Sequence, residues 1–147
     1  MPLQIKDFGD EKVINGTYGS IWIDDIYICA LKKFSAKVKI DYGDVVRPRD
    51  MWDGRKATKY SGEGELTTEK IDSLGLDLMH DAISKGKTPI CKILGELADP
   101  DAFGAERVMF KNVTFDEMNI FDFEHAKLGE DSLKFKFRHY EPYDRIQ

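Results

Sequence analysis

A mainly β fold, an antiparallel sandwich or barrel with one flanking α-helix, is what this 147-residue chain predicts. Three observations carry the reading. From Phe34 onward apolar residues recur with a period of two, short β-rich runs are punctuated by Gly, Pro and Asp, and one segment alone, from Ile71 to Ile83, repeats its apolar residues at helical spacing. At this length, with 41% hydrophobic residues, one compact domain spanning 1–147 has enough apolar content for a substantial core.

The elements follow in order. Residues 1–15 read as an N-terminal arm. In "YGSIWIDDIYICALKKF" Asp24 and Asp25 stand between two β-rich runs, the pattern of a tight hairpin. Phe34, Ala36, Val38, Ile40 and Tyr42 then share one face of a strand, and Ser35, Lys37, Lys39 and Asp41 share the other. Gly43, Pro48 and Gly54 interrupt that alternation, so residues 43–57 are expected to form a long loop. The loop exposes Val45, Val46, Met51 and Trp52 among Arg47, Arg49 and Arg55. A strand from Ser61 to Thr68 puts Glu63, Glu65 and Thr67 on one face and Leu66 on the other.

The helix follows. Ile71, Leu74, Leu78, Met79, Ala82 and Ile83 form one apolar stripe, with Thr68 as a cap and Gly86 as a stop, so the stripe is expected to pack on a sheet. Beyond Pro89, residues 90–97 and 106–120 read as strands on either side of the turn "ADPDAFGA". Leu133, Phe135 and Phe137 alternate with Lys134, Lys136 and Arg138 in a last strand, which the tail "HYEPYDRIQ" is expected to end at Pro142.

Charge and composition narrow the function. A net charge of −5 argues against a protein built mainly to grip phosphate backbones. Cys29 and Cys91 lie far apart, without a signal segment before them, which suits a reducing compartment and two unpaired thiols. No apolar run is long enough to span a bilayer. His80, His125 and His139 lack metal-ligand spacing, and neither cysteine has a nearby base or a C-x-x-C partner. "GEG" at residues 62–64 precedes a strand, where no helix dipole can hold a phosphate. No catalytic, cofactor or metal residue emerges, and the chain reads as a non-enzyme.

The exposed apolar residues of the 43–57 loop and the aromatic tail (His139, Tyr140, Tyr143) exceed what a small monomer usually leaves open. Sheet edges of a mostly β domain also need covering or pairing. Repeated self-association meets both needs.

Gly54, Lys56, Thr58, Gly62, Gly64, Thr67, Lys70 and Ser73 fall in a G-x-K-x-T-x-x-x-G-x-G-x-x-T-x-x-K-x-x-S pattern. With "ERVMFKNVTFDEMNI", "LKFKFRHYEPYDRI" and the early "GTYGSIWIDD", it resembles the tail tube proteins of contractile-tailed phages and of PBSX-like phage-tail-like bacteriocins. The match runs in order through residues 16–147, while "FDFEHAKLGEDS" is less acidic and less regular than in that family.

The resemblance implies a structural role. Six copies would join their sheets edge to edge into a shared β-barrel ring, and rings would stack into a tube. Four strands per copy, spaced by roughly 4.8 Å and tilted near 40°, give a lumen of about 40 Å, wide enough for double-stranded DNA. The implied partners are further copies of the chain, a sheath outside, a tape measure protein and possible DNA within, and baseplate and terminator proteins at the ends. No membrane anchor is implied, and assembly would take place in the bacterial cytoplasm before the tail or particle is released. Val45, Val46, Arg47, Met51, Trp52 and Arg55 would meet a neighbouring subunit. Lys37, Lys39, Asp41, Glu63, Glu65 and Thr67 would face the lumen as opposite-charge neighbours on a near-neutral wall. Two other readings remain open: an Hcp-like tube protein of a type VI secretion system, and a monomeric β-barrel enclosing a small ligand.

Overall fold

A computed structural model describes residues 9–146. Eight strands and one helix follow the order β1 (Gly19–Ile23), β2 (Ile26–Tyr27), β3 (Leu31–Val45), β4 (Gly54–Glu69), α1 (Leu74–Ser84), β5 (Cys91–Leu97), β6 (Glu106–Phe115), β7 (Glu130–Phe137) and β8 (His139–Asp144). All neighbouring strands pair antiparallel, in the order β2-β1-β5-β6-β7-β4-β3, with β8 also on β6. The sheet is open. β6 divides it into two leaves, pairing with β5 up to Val113 and with β8 up to Lys111, and then with β7 at Thr114 and Phe115. Asn112, with φ 53, makes the left-handed step at the change of leaf.

The leaves meet across a core of Ile21, Ile23 and Ile93 from one side and Leu66, Leu133, Phe135 and Phe137 from the other. Phe110 bridges them, its ring centroid 4.9 Å from Phe137 and 5.9 Å from Phe34. β7 shows the alternation in its simplest form, with Leu133, Phe135 and Phe137 buried and Ser132, Lys134 and Lys136 exposed. An open sheet around a core filled by aromatic rings is not the closed, hollow barrel that the small-ligand reading requires.

Asp24 and Asp25 both adopt positive φ, 49 and 67, and close the β1–β2 hairpin as a two-residue turn. Trp22 and Tyr27 pack across it with centroids 5.5 Å apart. Of the expected arm, residues 1–8 lie outside the described residues. Asn15 is tied down, its backbone N–H donating to the largely buried Asp99 carboxylate at 2.9 Å.

Three expectations are corrected. Residues 43–57 are not a long loop, because β3 and β4 pair continuously as far as Val45 and Gly54 and leave only residues 46–53 as a turn. Gly43 and Gly54 are accommodated within the ladder, and the extra residue Thr58 makes a bulge, its hydroxyl donating to the Asp41 carbonyl at 3.1 Å. Val45 and Arg55 are therefore strand residues. The helix starts at Leu74, with Thr68 buried in β4 and Ser73 in the cap position. Gly75 and Met79 are buried, Leu74, Leu78 and Ala82 are half-buried, and Ile71 and Ile83 are 65% and 52% exposed. The stripe is narrower than expected because Ile71 precedes the helix and Ile83 lies in its last turn. Gly86, at φ 67, does stop it: Gly86 N–H donates to Ile83 O and Lys87 N–H to Ala82 O. Finally, the tail continues past Pro142 as β8, which pairs with β6 from His139 to Asp144. Pro142 is tolerated because β8 is an edge strand.

Candidate functional site

The β3–β4 hairpin dominates the molecule. Its strands are 15 and 16 residues long, roughly 50 Å of extended chain, and only the half nearest the body packs on the core. Phe34, Ala36 and Leu66 meet that core, whereas Val38, Ile40, Tyr42 and Tyr60 on the same face are 40 to 70% exposed. At the tip Val46 is 79%, Met51 99% and Trp52 85% exposed. The tip is nevertheless shaped. The Asp50 carboxylate accepts the Trp52 N–H at 2.9 Å, Arg49 takes φ 60, and the Arg55 guanidinium lies 3.9 Å over the Tyr42 ring. Of the six residues expected to meet a neighbour, Val46, Arg47, Met51 and Trp52 form the tip, and Val45 and Arg55 flank it.

The opposite face of the hairpin is polar. Lys37, Lys39, Asp41, Glu63, Glu65 and Thr67 all lie on it, brought together by the pairs Lys37↔Glu63, Lys39↔Ser61 and Ser35↔Glu65. Lys37 Nζ is 3.3 Å from Glu63, and the Ser132 hydroxyl donates to Glu65 at 2.7 Å. β7 adds Lys136 opposite Glu63 and Lys134 opposite Glu65. Opposite charges do neighbour one another across strands, but the face is not near neutral. Over β3, β4 and β7 it carries eight lysines (32, 33, 37, 39, 56, 59, 134 and 136) against five carboxylates (41, 63, 65, 69 and 130), an excess of three positive charges. The lysines of β7 were visible in the sequence. Their apposition to β4 was not, because it depends on a pairing between strands more than sixty residues apart.

The G-x-K…S pattern acquires a physical meaning here. A Cβ at Gly62 would stand 2.4 Å from the Phe137 ring, and one at Gly64 would stand 2.4 Å from Phe135 and 2.5 Å from the Ser35 carbonyl oxygen, so these glycines let two core rings lie against the β4 backbone. Thr67 and Ser132 hydroxyls are 3.4 Å apart across the ladder. Lys70 Nζ bonds the buried Asp131 carboxylate at 3.1 Å, and its N–H donates to Gly129 O, which fixes the approach to β7.

Among the described residues no group of three or more His, Cys, Asp or Glu is placed to hold a metal ion, and no helix is long and apolar enough to cross a membrane. Both cysteines are free thiols. Burial, then the nearby Asp24 carboxylate, pushes the Cys91 thiol up to about 11, while Cys29 is exposed. At neutral pH a thiol reagent such as DTNB should therefore modify Cys29 in the native subunit and reach Cys91 only on unfolding. Two fast-reacting thiols would contradict the packing of β5. Since the folded pKa is the raised one, the contribution of the buried thiol to stability is whole below pH 9.0 and is lost as pH rises towards about 11.

The phage tail tube protein family model matches residues 7–144. The chain belongs to that family. It is 26% identical over 138 residues to the phage-like element PBSX protein XkdM of Bacillus subtilis (strain 168), covering 92% of this chain and 94% of that one. Its fold is similar to a chain in the anti-feeding prophage cap, a tube terminating cap, with a TM-score of 0.73, 9% identity, and 99% and 100% of the two chains covered. It is also similar to a chain in the sheath-tube complex of an extracellular contractile injection system, with a TM-score of 0.67, 10% identity, and 90% and 93% covered. The PBSX-like resemblance read from the G-x-K…S segment thus holds for nearly the whole chain. Membership of a tail tube family points to a structural rather than an enzymatic role.

Proposed function

We propose that this protein is the subunit of the inner tail tube of a contractile tail or phage-tail-like particle, assembled as stacked six-membered rings. The supporting observation is the leaf β6-β7-β4-β3, which has one face on the core, one face of lysine and carboxylate, and a 15-residue edge strand, β3, whose side away from β4 is covered by no strand among the described residues. An exposed edge of that length presents a row of backbone donors and acceptors, and closing it against the next copy removes the edge. In such a ring the polar face lines the channel, a sheath encloses the tube, a tape measure protein and DNA, or ions alone, occupy or cross the lumen, and baseplate and terminator proteins cap the ends. The positive excess makes that channel attractive to a polyanion in a salt-dependent way rather than indifferent to it. Assembly in the bacterial cytoplasm fits a chain with two unpaired thiols.

Negative-stain images of the concentrated protein should show six-fold rings and tubes; a monomer at every concentration would overturn the proposal. Deleting residues 46–53 should leave a folded subunit that forms no tubes, because the turn lies outside the core. Trp52→Ala should weaken each contact by about 2 kcal/mol, the scale of an aromatic interface anchor.

A further inference from the structure

At the end of β4 opposite Trp52, where the chain passes from Thr68 and Glu69 towards α1, lies a cleft of about 270 Å³. Part of its wall is apolar, formed by Ile26, Ile71, Leu74 and Leu78, two of which are largely exposed, Ile26 at 64% and Ile71 at 65%. Its charged lining is of one sign: Asp24, Glu69, Asp72 and Asp77, with no lysine or arginine. The hairpin tip carries Trp52 and Met51, both almost wholly exposed, with Arg47 and Arg49 beside them; its two carboxylates, Asp50 and Asp53, balance the arginines, and Asp50 is turned onto the Trp52 N–H.

From this we infer that the cleft is the receptor for the hairpin tip of a second copy of this chain, with the Trp52 indole between Ile26 and Ile71 and the tip arginines against the acidic rim. The inference rests on the tube reading above and specifies its stacking contact. Two features favour a second copy over other occupants. The exposed Trp52 and Met51 suit the apolar part of the cleft, with Arg47 and Arg49 beside them to meet its carboxylates, and the two surfaces lie at opposite ends of the same hairpin, roughly 50 Å of strand apart. A surface at one pole that fits a different surface at the other is a heterologous contact, which repeats head to tail without closing on itself. Along the strand direction it generates a stack. Within the chain the tip cannot reach the cleft, because β3 and β4 hold it away along a continuous ladder.

The test is a charge exchange. Arg47→Glu with Arg49→Glu on the tip, and separately Asp72→Lys with Asp77→Lys on the rim, should each give a folded subunit whose tubes form only at protein concentrations at least tenfold higher, or not at all. The four changes combined in one chain should restore assembly towards the wild-type concentration. Should the rim pair disturb α1, Ile71→Ser is the second variant, since that side chain is 65% exposed and its loss spares the fold. It should likewise suppress tubes, and in a Trp22→Phe background it should abolish the blue shift of Trp52 fluorescence on assembly. If the tip variants fail to assemble while the rim and Ile71→Ser variants assemble as wild type does, the cleft is not the receptor and the tube reading stands. Lack of rescue in the combined chain would also overturn the docking. A wild-type chain that never assembles would overturn the tube reading itself.

Discussion

Gly64→Ala is expected to destabilise the folded subunit by about 3 kcal/mol, the upper range for forcing an extra group into a packed core. The clash has two partners of different kinds. The added Cβ would meet the Phe135 ring at 2.4 Å and the Ser35 carbonyl oxygen at 2.5 Å, and the second of these is backbone, held in the β3–β4 ladder beside the Ala36↔Gly64 pair. Phe135 is 1% exposed and packs between Phe34 and Phe115, so it cannot swing aside. Gly62→Ala should cost less, since the three atoms nearest its Cβ all belong to the Phe137 ring, which is nearer the surface at 7% exposure. Neither glycine needs a left-handed backbone, so the unfolded chain would lose entropy on substitution and return about 0.4 to 1 kcal/mol in both variants. Against a domain stability of roughly 5 to 15 kcal/mol, the Gly64 loss should be plain in a denaturant titration. Equal stability of Gly64→Ala and wild type would mean that β4 and β7 do not pack as closely as described.

How much of this was legible depended on the range of the interaction. Strand faces on β3, β4 and β7 were readable because alternation is local, and Leu133, Phe135 and Phe137 are buried as their period implies. The Asp24-Asp25 turn was readable for the same reason. Residues 43–57 were misread because Gly43, Pro48 and Gly54 are local breakers, while the ladder that carries β3 to Val45 is a cross-strand property. Ile71 and Ile83 continue the apolar spacing past the part of α1 that touches the sheet, and spacing alone does not say where a helix meets its partner. The tip residues stand out in the sequence as apolar groups in a polar context. The acidic cleft has no such signature, because its walls come from β2, the end of β4 and α1, and no single stretch of sequence displays it. The family resemblance succeeded where local rules failed, since Gly62 and Gly64 of its pattern record contacts with β7 that only the fold makes visible.

Glu63→Lys combined with Glu65→Lys should leave the subunit folded, with stability changed by about 1 kcal/mol or less, because the pairs removed are solvent-exposed: Lys37–Glu63 has side chains 74% and 42% exposed. What changes is the field. The excess on the β3, β4 and β7 face rises from three positive charges to seven, and each new lysine sits directly across the ladder from an existing one, Lys136 at position 63 and Lys134 at position 65. If that face lines the channel, six such faces converge on one axis, and ring closure must bring their charges together. Within a Debye length of about 10 Å at 0.1 M salt this repulsion is felt, and at 1 M, where the length is about 3 Å, it is largely screened. Tubes of the double variant should therefore be lost at low salt and recovered at high salt, while the wild type assembles at both. A face turned outward would spread its charges away from the other copies, and assembly would then respond little to the substitutions. A cysteine placed at position 65 separates the cases independently: in assembled tubes it should resist a reagent too bulky to enter the lumen, and ready modification would put Glu65 on the outer surface and end the channel assignment.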